Sequence, residues 1–551
     1  MKTYDLYLTP LSPLHLGTDE DYRPTDYVMD EYGLHAFDTA AVMQVMTTAQ
    51  RQKLERIVNG KPNPEMVKAI QKFFGDLREP LRGLSSHTVE VVPGVLQQYN
   101  ERLGKAANRE SGGRSVTNQL EIERTAYNPV SQQALIPGSG IKGAIRTALL
   151  NHRNGGKPLP RDLRNDRQGN RKLQQQLFEY QNMHQDPLRL LKLQDAIPNP
   201  QHPELASRKV YFAVNRRRSA SKQGQDRRNS KQGPAQRLES QMPQAPRAFH
   251  GSMTVTSMDQ YRDDQRNREL VPKIEFSAIE IARHCNAFYR PLLEEELNSM
   301  ERAGYLDPQW KQEIGELLDE LEEPFRKEHA FLIRLGRHSG AESVTVDGVR
   351  EIRIMQGPGK KPRTASHGTT WWMAAEQEDA TTGLLPFGWA IIELCEQGVS
   401  PVDGKAIARQ REHLSRHIRE FLDKVESMRA EARQMIEQQQ EKEEVQRRQQ
   451  LEEAAREEER VAHRQTLSEQ QLQVEDLREA FEQAVANGTF TAQGEVAQHR
   501  AELLKSAQDW ESPEDRQAAH KLLSEMVKVL PWSKKKKKEY QQLMTDLSSA
   551  S

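Results

Sequence analysis

The stretch Leu135-Ile-Pro-Gly-Ser-Gly-Ile-Lys-Gly-Ala-Ile-Arg146 runs from an apolar strand end through a glycine turn into a cationic amphipathic helix. Glycine lets a backbone approach a ligand closely, and the first turn of a helix carries unpaired N–H groups at the positive end of its dipole. A helix that begins at Ile141 places Lys142 and Arg146 on one face, four residues apart. The pattern predicts a phosphate site, with an ordinary strand-to-helix turn as the alternative. Its backbone donors are expected from Gly138, Ser139, Gly140 and Gly143.

The spelling of residues 138–143 also satisfies G-x-G-x-x-G, the pattern of a dinucleotide-binding loop. That loop belongs to a βαβ unit. An acidic residue about 20 positions after the loop ends the second strand of the unit. Here residues 151–172 form a basic stretch broken by Gly155-Gly156 and two prolines. A P-loop is also excluded, because Gly143 is followed by Ala144, whereas a P-loop requires Lys and then Ser or Thr after this glycine. We therefore expect no nucleotide cofactor.

The chain has 551 residues, which is long enough for two to four domains. Hydrophobic residues make up 36% of it. Its net charge of −1 averages a basic middle over an acidic C-terminal third. Cys285 and Cys395 lie far apart without metal-site spacing, so neither a disulfide framework nor a metal site is expected. The N-terminus is polar, and no apolar run approaches the ~18 residues of a membrane span. These features predict a soluble, cytoplasmic protein without a membrane partner.

Two strand patterns in the first half of the chain end in segments that are candidate sites. An alternating strand over Tyr4–Leu8 leads to the loop Leu14-His15-Leu-Gly17, and Lys209–Val214 reads as a buried strand. The latter ends in three arginines, Arg216, Arg217 and Arg218. Residues 208–237 are rich in Lys and Arg and poor in apolar residues after Val214, which predicts either a solvated insertion loop or a flexible arm that contacts nucleic acid.

The second half repeats the theme of a strand followed by a glycine loop. Phe331–Leu335 reads as a strand that enters a loop at Gly336, a cationic turn spans residues 356–363, and two adjacent tryptophans follow. Positive charge and stacking surfaces together are typical of grooves for single-stranded nucleic acid, although core packing is the alternative for the tryptophans. Adjacent strand residues point to opposite faces, so one tryptophan at most can stack on a base. The candidate RNA contacts here are Arg334, Arg337, His338, Lys360, Lys361, Arg363 and Trp371.

The C-terminal third is helical in pattern. Apolar residues from Leu414 to Met435 recur at alternating steps of four and three, which predicts a heptad seam. The seam positions then become polar, so residues 438–464 are predicted to form a charged solvated helix or a linker. The block Lys534–Lys538 predicts a solvated helix start, with electrostatic adhesion to RNA as the alternative.

Four segments, in this order and spacing, resemble the RAMP superfamily, and most of all its family of fifth subunits of the type III-A Csm complex. They are Thr9–Thr18 with Pro24–Tyr27, Ile136–Leu149, Phe331–Gly336 and Leu385–Trp389. The resemblance implies an α+β chain with two fused ferredoxin-like (RRM-like) domains. We assign these to residues 1–205 and 251–400, with a basic flexible insertion at 206–250, a long charged helix or coiled coil at 401–465 and a small helical appendage at 466–551.

The same resemblance implies a non-catalytic RNA-binding subunit of a type III-A CRISPR effector complex. Such a subunit binds the crRNA near its 3′ end, caps the filament of backbone subunits and supports crRNA maturation. Its expected partners are the crRNA, indirectly the target RNA, the repeated backbone RAMP subunit and the small helical subunit. Host nucleases are a further candidate partner. A guide held regardless of its sequence must be gripped through phosphates, sugars and stacking, because its base edges stay free for pairing.

Two other functions remain open from the sequence. One is a RAMP endoribonuclease with His15 as general acid or base. Cleavage without a metal also needs a second proton-transfer group and a cation, and the sequence offers a candidate for one role only. His15 is therefore interpreted as a structural residue bonded to a loop carbonyl, or as an RNA contact. The other alternative is an adaptor that docks partners through its C-terminal helices.

Overall fold

The computed structural model describes residues 1–60, 62–105, 108–109, 115–116, 120–164, 166–218, 231, 233–259, 271–355, 359, 361–491, 494–529 and 534–549. The chain forms two compact units, unit 1 (residues 1–439) and unit 2 (residues 440–551). Each has a buried apolar core of its own. Among the described helices, none is both long and apolar enough to cross a membrane.

Unit 1 contains the strands of the described chain. They are β1 (Lys2–Pro10), β2 (Gly17–Tyr22), β3 (Tyr27–Asp30), β4 (Gly33–Phe37), β5 (Ser85–Val91), β6 (Asn108–Arg109), β7 (Ser115–Val116), β8 (Ile122–Thr125), β9 (Leu191–Leu193), β10 (Ile197–Pro198), β11 (Arg208–Arg217), β12 (Gln236–Gln241), β13 (Phe249–Val255), β14 (Ala330–Arg334), β15 (Ile352–Ile354), β16 (Arg363–Ala365), β17 (Thr370–Ala375), β18 (Leu385–Pro386) and β19 (Trp389–Glu396).

The α-helices are distributed over both units. They are α1 (Thr39–Val45), α2 (Thr48–Val58), α3 (Pro64–Asp76), α4 (Arg78–Gly83), α5 (Pro93–Arg102), α6 (Gly138–Asn154), α7 (Gly169–Leu177), α8 (Ala278–Ala303), α9 (Pro308–Glu320), α10 (Glu322–Arg326), α11 (Lys405–Thr466), α12 (Glu469–Ala486), α13 (Glu495–Ser506), α14 (Pro513–Val529) and α15 (Lys534–Ser549). Short 3-10 turns lie at Arg161–Leu163, Met183–Gln185, Pro187–Leu190, Pro203–Ala206, Glu342–Val344 and Ala507–Asp509.

Two large sheets form the frame of unit 1. Sheet 1 has the order β10-β13-β1-β19-β14, with β9 beside β13. Sheet 2 has the order β2-β8-β12-β11-β5-β4-β3, and β17 joins it beside β11, with β18 beside β17. In sheet 1 the first strand pairs antiparallel with the last, so that Leu6 lies opposite Leu394. The unit is therefore a mixed α/β structure in which sequence-distant strands are neighbours.

The apolar stripe of α6 is buried, as the helical spacing predicts. Ile141, Ile145, Ala148 and Leu149 are each inaccessible to solvent. The hydroxyl of Tyr289 on α8 donates to the backbone oxygen of Ala144, which ties α8 to α6. The predicted strand at Lys209–Val214 is confirmed within β11.

The sheets do not follow the predicted domain boundaries at residues 205 and 250. Sheet 1 combines β1, β9 and β10 from the first range with β13, β14 and β19 further on. The segment predicted to be a basic insertion supplies β11 and β12 to sheet 2. Local patterning gives strands but no pairing partners, which explains the difference. Residues 219–230 of that segment lie outside the described residues.

Most of the heptad seam is buried or partly buried against the rest of unit 1, although Met435 at its end is 50% exposed. Ile418, Val425, Met428 and Ala432 are each less than 5% exposed. Polar side chains on the same helix reinforce this docking, since Arg429 donates to the hydroxyls of Ser85 and Thr88 in sheet 2. The described part of the seam therefore packs within its own chain and not in a coiled coil. The charged segment that follows is helical to Thr466, and the lysine block begins α15.

Candidate nucleic-acid interface

Three of the sequence motifs meet in unit 1 through backbone hydrogen bonds. The backbone N–H groups of Leu11 and Ser12 donate to the Trp389 oxygen, at 2.9 and 3.2 Å. Gly388 donates to Pro13 at 3.0 Å, and Leu335 donates to Gly388 at 2.8 Å. We call this assembly, residues 11–17, 335–340 and 386–389, the loop junction. It explains why the motifs occur together although they lie far apart in the sequence.

Glycine is required at two positions of the loop junction. Gly336 has φ +76°, and a Cβ placed there would lie 2.1 Å from the backbone oxygen of His15. Gly388 has φ +96°, and its Cβ would lie 2.5 Å from the backbone oxygen of Leu335. These close approaches let the N–H of Arg337 donate to the His15 oxygen at 2.8 Å. The glycines thus serve contacts between loops of the same chain.

The side chain of His15 is fully buried in the loop junction. Its Nδ1 lies 2.7 Å from the backbone oxygen of Glu239, and its Nε2 has no hydrogen-bond partner among the described residues. Burial lowers the pKa of His15 below its usual value, so the imidazole is neutral at physiological pH. The carbonyl group of Glu239 belongs to β12, whereas the sequence predicted a loop carbonyl. The hydrogen bond to the backbone nevertheless gives His15 a structural role, as predicted. A direct RNA contact by this side chain is not compatible with its burial.

Two groups of the kind that RNA cleavage requires lie beside His15. Glu123 is 4.0 Å from Nε2, and Arg337 forms an ion pair with Glu123. Desolvation raises the pKa of Glu123 despite that arginine. A general base must come within about 3.2 Å of the proton it removes, and the buried Nε2 offers no such access. His15 is therefore not an accessible general base in this arrangement.

The glycine turn before α6 differs from its prediction. The helix begins at Gly138 and not at Ile141, and the Gly138 N–H donates to Asp195 Oδ1 at 2.7 Å. A Cβ at Gly138 would lie 2.7 Å from the Gln194 backbone oxygen. The first donor of the helix is thus occupied by a carboxylate of the same chain, an anion that takes the place predicted for a phosphate. Ser139 and Gly143 remain exposed.

The two cations of α6 are also bonded within the chain. Lys142 Nζ donates to the Leu191 backbone oxygen at 2.8 Å, and Arg146 donates to Asp186 Oδ2 at 2.6 Å. Burial lowers the pKa of Lys142. Both side chains therefore fasten residues 186–191 to the helix, which corrects the prediction that they are free to bind a phosphate.

The three arginines at the end of β11 have three different environments. Arg216 is 1% exposed and donates to the backbone oxygens of Glu378 and Ala380. Arg218 forms a two-pronged ion pair with Glu342, at 2.7 and 3.0 Å. Arg217 is exposed. Of these predicted contacts, Arg217 is the accessible one, whereas Arg216 is a structural residue.

The predicted pair Arg334 and Trp371 is buried as well. Arg334 donates to Glu296 at 3.0 Å and to the Phe387 backbone oxygen at 2.9 Å. Trp371 is 6% exposed. The neighbouring Trp372 is partly exposed, as expected for the opposite face of a strand. The choice of Trp371 as the stacking residue was therefore wrong.

Of the remaining predicted residues, His338 lines a cleft of about 790 Å³, which we call the Trp372 cleft. It lies between residues 336–342, β17 and the hairpin β15–β16. His338 lines it and stacks on Trp372, with ring centroids 4.6 Å apart. Arg353 lines it and is exposed, whereas the exposed Arg337, Lys361 and Arg363 are not among its lining residues. Arg337 directly precedes His338, and Arg363 lies opposite Ile354 in the hairpin. Lys360 lies outside the described residues.

The partly buried position of His338 makes the stability of the protein depend on pH. Desolvation, with the nearby charge of Arg337, lowers its pKa to about 3. The unfolded chain binds this proton near pH 6.5, so stability is present above that pH and decreases as the pH falls toward 3. We expect His338→Asn, which tolerates the residue's φ of +63°, to make this dependence shallower by about 1.4 kcal/mol per pH unit. Urea unfolding between pH 6.5 and 4.5 measures it, and an unchanged slope would refute the assignment.

Several residues that shape this region were not found from the sequence. Glu239 is fully buried and accepts from Tyr22 and from the Thr125 N–H, and Arg208 pairs with it at 2.8 Å. The carboxylates that occupy the predicted phosphate site likewise come from distant positions. An acidic residue carries no local signal of the cation it will meet, so only the pairing of strands reveals these contacts.

Comparison with known proteins gives the class of this chain. The sequence model of the RAMP superfamily matches residues 7–337, more than half of the chain. The chain belongs to the RAMP superfamily. Over 154 residues it is 25% identical to the CRISPR system Cms protein Csm5 of Streptococcus thermophilus. This match covers 27% of this chain and 38% of that relative. The match thus spans less than half of the relative's length.

Two solved structures are similar over 71% of this chain and all of theirs. One is a cryo-EM structure of a Csm–crRNA–target RNA ternary complex of a type III-A CRISPR-Cas system, with a TM-score of 0.40 and 16% sequence identity. The other is a crystal structure of Csm5 from T. onnurineus, with a TM-score of 0.38 and 14% identity.

Proposed function

We propose that this chain is a non-catalytic RNA-binding subunit of a type III-A CRISPR effector complex, with a role similar to that of Csm5. In this role it holds the crRNA near its 3′ end, caps the filament of backbone RAMP subunits and supports crRNA maturation. Membership of the RAMP superfamily and the similarity to Csm5 support the assignment. We further propose that the two sheets derive from ferredoxin-like halves and that the complex is cytoplasmic.

The observation that carries the RNA-binding role is the set of exposed cations around an aromatic cleft. Arg217, Arg353, Lys361 and Arg363 are exposed, and Trp372 offers a stacking surface. Arginine and lysine bind phosphates without reading sequence, and aromatic rings stack on any base. Such a surface suits a guide RNA, because it leaves the Watson–Crick edges of most bases available for target pairing.

A catalytic role is not favoured by the environment of His15. A nuclease needs its base within reach of a 2′-hydroxyl, whereas Nε2 is enclosed by the loop junction. An adaptor role through the heptad seam is not favoured either, because that seam is already covered by unit 1. Partners in the complex would then be the crRNA, the backbone subunits and the small helical subunit, with host nucleases recruited from outside.

Sequencing the RNA that co-purifies with the untagged complex tests this proposal. We expect repeat-spacer fragments that share a 3′ boundary, and we expect the same fragments after His15→Gln, since the proposal assigns no chemistry to that residue. Random cellular RNA, or no RNA, would overturn the role as a guide-binding subunit. Cleavage of repeat RNA by the purified chain that disappears in His15→Gln would establish the nuclease instead.

A further inference from the structure

A second concave surface adjoins the Trp372 cleft. It has a volume of about 470 Å³ and lies between residues 159–177 and residues 344–351, and we call it the arginine groove. Val344 lines both the cleft and the groove. The side chain of Val344 is 59% exposed, so an apolar contact surface stands where the two meet. The two depressions are therefore neighbours along one face of unit 1.

The chemistry of the Trp372 cleft suits an unpaired base. Trp372 forms one wall together with the neutral His338, and the hairpin contributes the partly buried Ile352 and Ile354. An aromatic ring on one side and aliphatic side chains on the other can enclose a flat ring. Arg353, between the two isoleucines, is exposed and within reach of a backbone phosphate.

The chemistry of the arginine groove suits phosphates. Arg164 and Arg167 line it and are both exposed. Three arginines of the lining also bond within the chain, since Arg146 pairs with Asp186, Arg350 pairs with Asp347, and Arg164 Nε donates to the Leu159 backbone oxygen at 3.4 Å. Two carboxylates line the groove as well, that of Asp166, which is bonded to Lys172 at 2.6 Å, and that of Glu351, which is exposed, so the four arginines outnumber them. Among the described residues, no aromatic side chain lines the groove, so it offers charge without a stacking surface.

We propose that the Trp372 cleft and the arginine groove form one track for a single strand of unpaired RNA. A base stacks on Trp372, the strand passes over Val344, and the neighbouring phosphates bind Arg164 and Arg167. This inference rests on the proposed function and adds to it the path of the unpaired strand. It also gives a use to the basic stretch between residues 151 and 172, which the loop junction does not involve.

The charge half of the track is tested with the full chain and a fluorescein-labelled single-stranded RNA of about 12 nucleotides. We expect Arg164→Ala/Arg167→Ala to lower the affinity about tenfold and to reduce the slope of log affinity against log salt by about 1.4. The matched control is Arg283→Ala/Arg290→Ala, which removes the exposed Arg283 and the partly exposed Arg290 of α8, neither of which lines a depression. It should leave both quantities unchanged.

The stacking half is tested by Trp372→Leu, with Trp372→Phe as the conservative variant. We expect Trp372→Leu to lower the affinity about tenfold with an unchanged salt slope, because it removes a stacking surface and no charge. Trp372→Phe should recover most of the loss. Thermal unfolding of each variant separates a binding effect from a loss of folded protein.

The outcomes separate this inference from the proposed function. If the wild-type chain binds the RNA and the groove and Trp372 variants bind it equally well, the track is refuted and the RNA-binding role stands. If those variants bind RNA normally but fail to assemble with the other subunits, the two depressions form a protein interface and the track is again refuted. If the wild-type chain and complex hold no RNA, the proposed function itself fails.

Discussion

Replacing Gly336 by valine is expected to lower the free energy of unfolding by about 3 kcal/mol or more. Two costs add at this position. A β-branched residue is strained at φ +76°, and its Cβ would overlap the backbone oxygen of His15. Because that oxygen accepts the N–H of Arg337, the loop junction must open to relieve the overlap. Urea unfolding of the full chain, read by the fluorescence of the buried tryptophans, measures the change.

Gly143→Ala is the matched control for this prediction. A Cβ at Gly143 would meet no atom of the described residues within 4 Å, and Gly143 lies inside α6 with helical neighbours on both sides. Alanine should therefore raise the free energy of unfolding by about 0.5–1 kcal/mol. Equal effects of the two substitutions would show that backbone contact at the loop junction does not distinguish these glycines.

The second large effect is expected at Arg247, where Arg247→Ala should cost about 3–5 kcal/mol. This side chain is 4% exposed and pairs with both carboxylate oxygens of Glu393, each at 2.8 Å. It also binds Asp403 and the backbone oxygens of Pro401 and Val402. Its removal leaves a buried carboxylate of β19 unpaired and releases the segment that leads into α11.

Arg283→Ala provides the comparison for Arg247→Ala. Arg283 pairs with Glu328 at 2.7 Å, but its side chain is 55% exposed, so its loss should leave the free energy of unfolding nearly unchanged. The double variant Arg247→Met/Glu393→Met should recover part of the lost stability, because it removes both buried charges together. A cost for Arg247→Ala as small as that for Arg283→Ala would contradict the account of how α11 is anchored.

Periodic features of the sequence were predicted correctly because they depend on local burial alone. The buried stripe of α6, the strand at Lys209–Val214 and the apolar seam of α11 all follow from spacing. What covers each feature was not predictable in the same way. The seam suggested a partner helix, whereas the surface it meets is the chain's own sheet 2 and α4, and no pattern within the helix records that.

For charged residues, too, the local sequence does not predict which groups they contact. Lys142, Arg146, Arg216 and Arg334 look like RNA contacts by composition, yet each is bonded to an oxygen of the same chain. Their partners arrive through strand pairing and long connections. Arg217, Arg353, Lys361 and Arg363, which occur in equally cationic segments, remain exposed. Composition alone could not separate the structural cations from the accessible ones.

Unit 2 extends beyond the family match and has a core independent of unit 1. Val474, Leu477, Phe481, Leu522 and Leu523 are among its buried residues. Its α12 begins with a capping box formed by Ser468 and Gln471. These features define a folded helical unit, which begins at residue 440, whereas the predicted helical appendage begins at residue 466.

The central claim is that unpaired RNA binds on the face of unit 1 that holds the Trp372 cleft. Photocrosslinking tests it most directly, with guide RNA containing 4-thiouridine bound to the full chain and the crosslinked peptides identified by mass spectrometry. We predict crosslinks within residues 336–342, 352–355 and 368–372, the three segments that hold lining residues of the cleft. Crosslinks confined to other parts of the chain, with none in these three segments, would contradict the account.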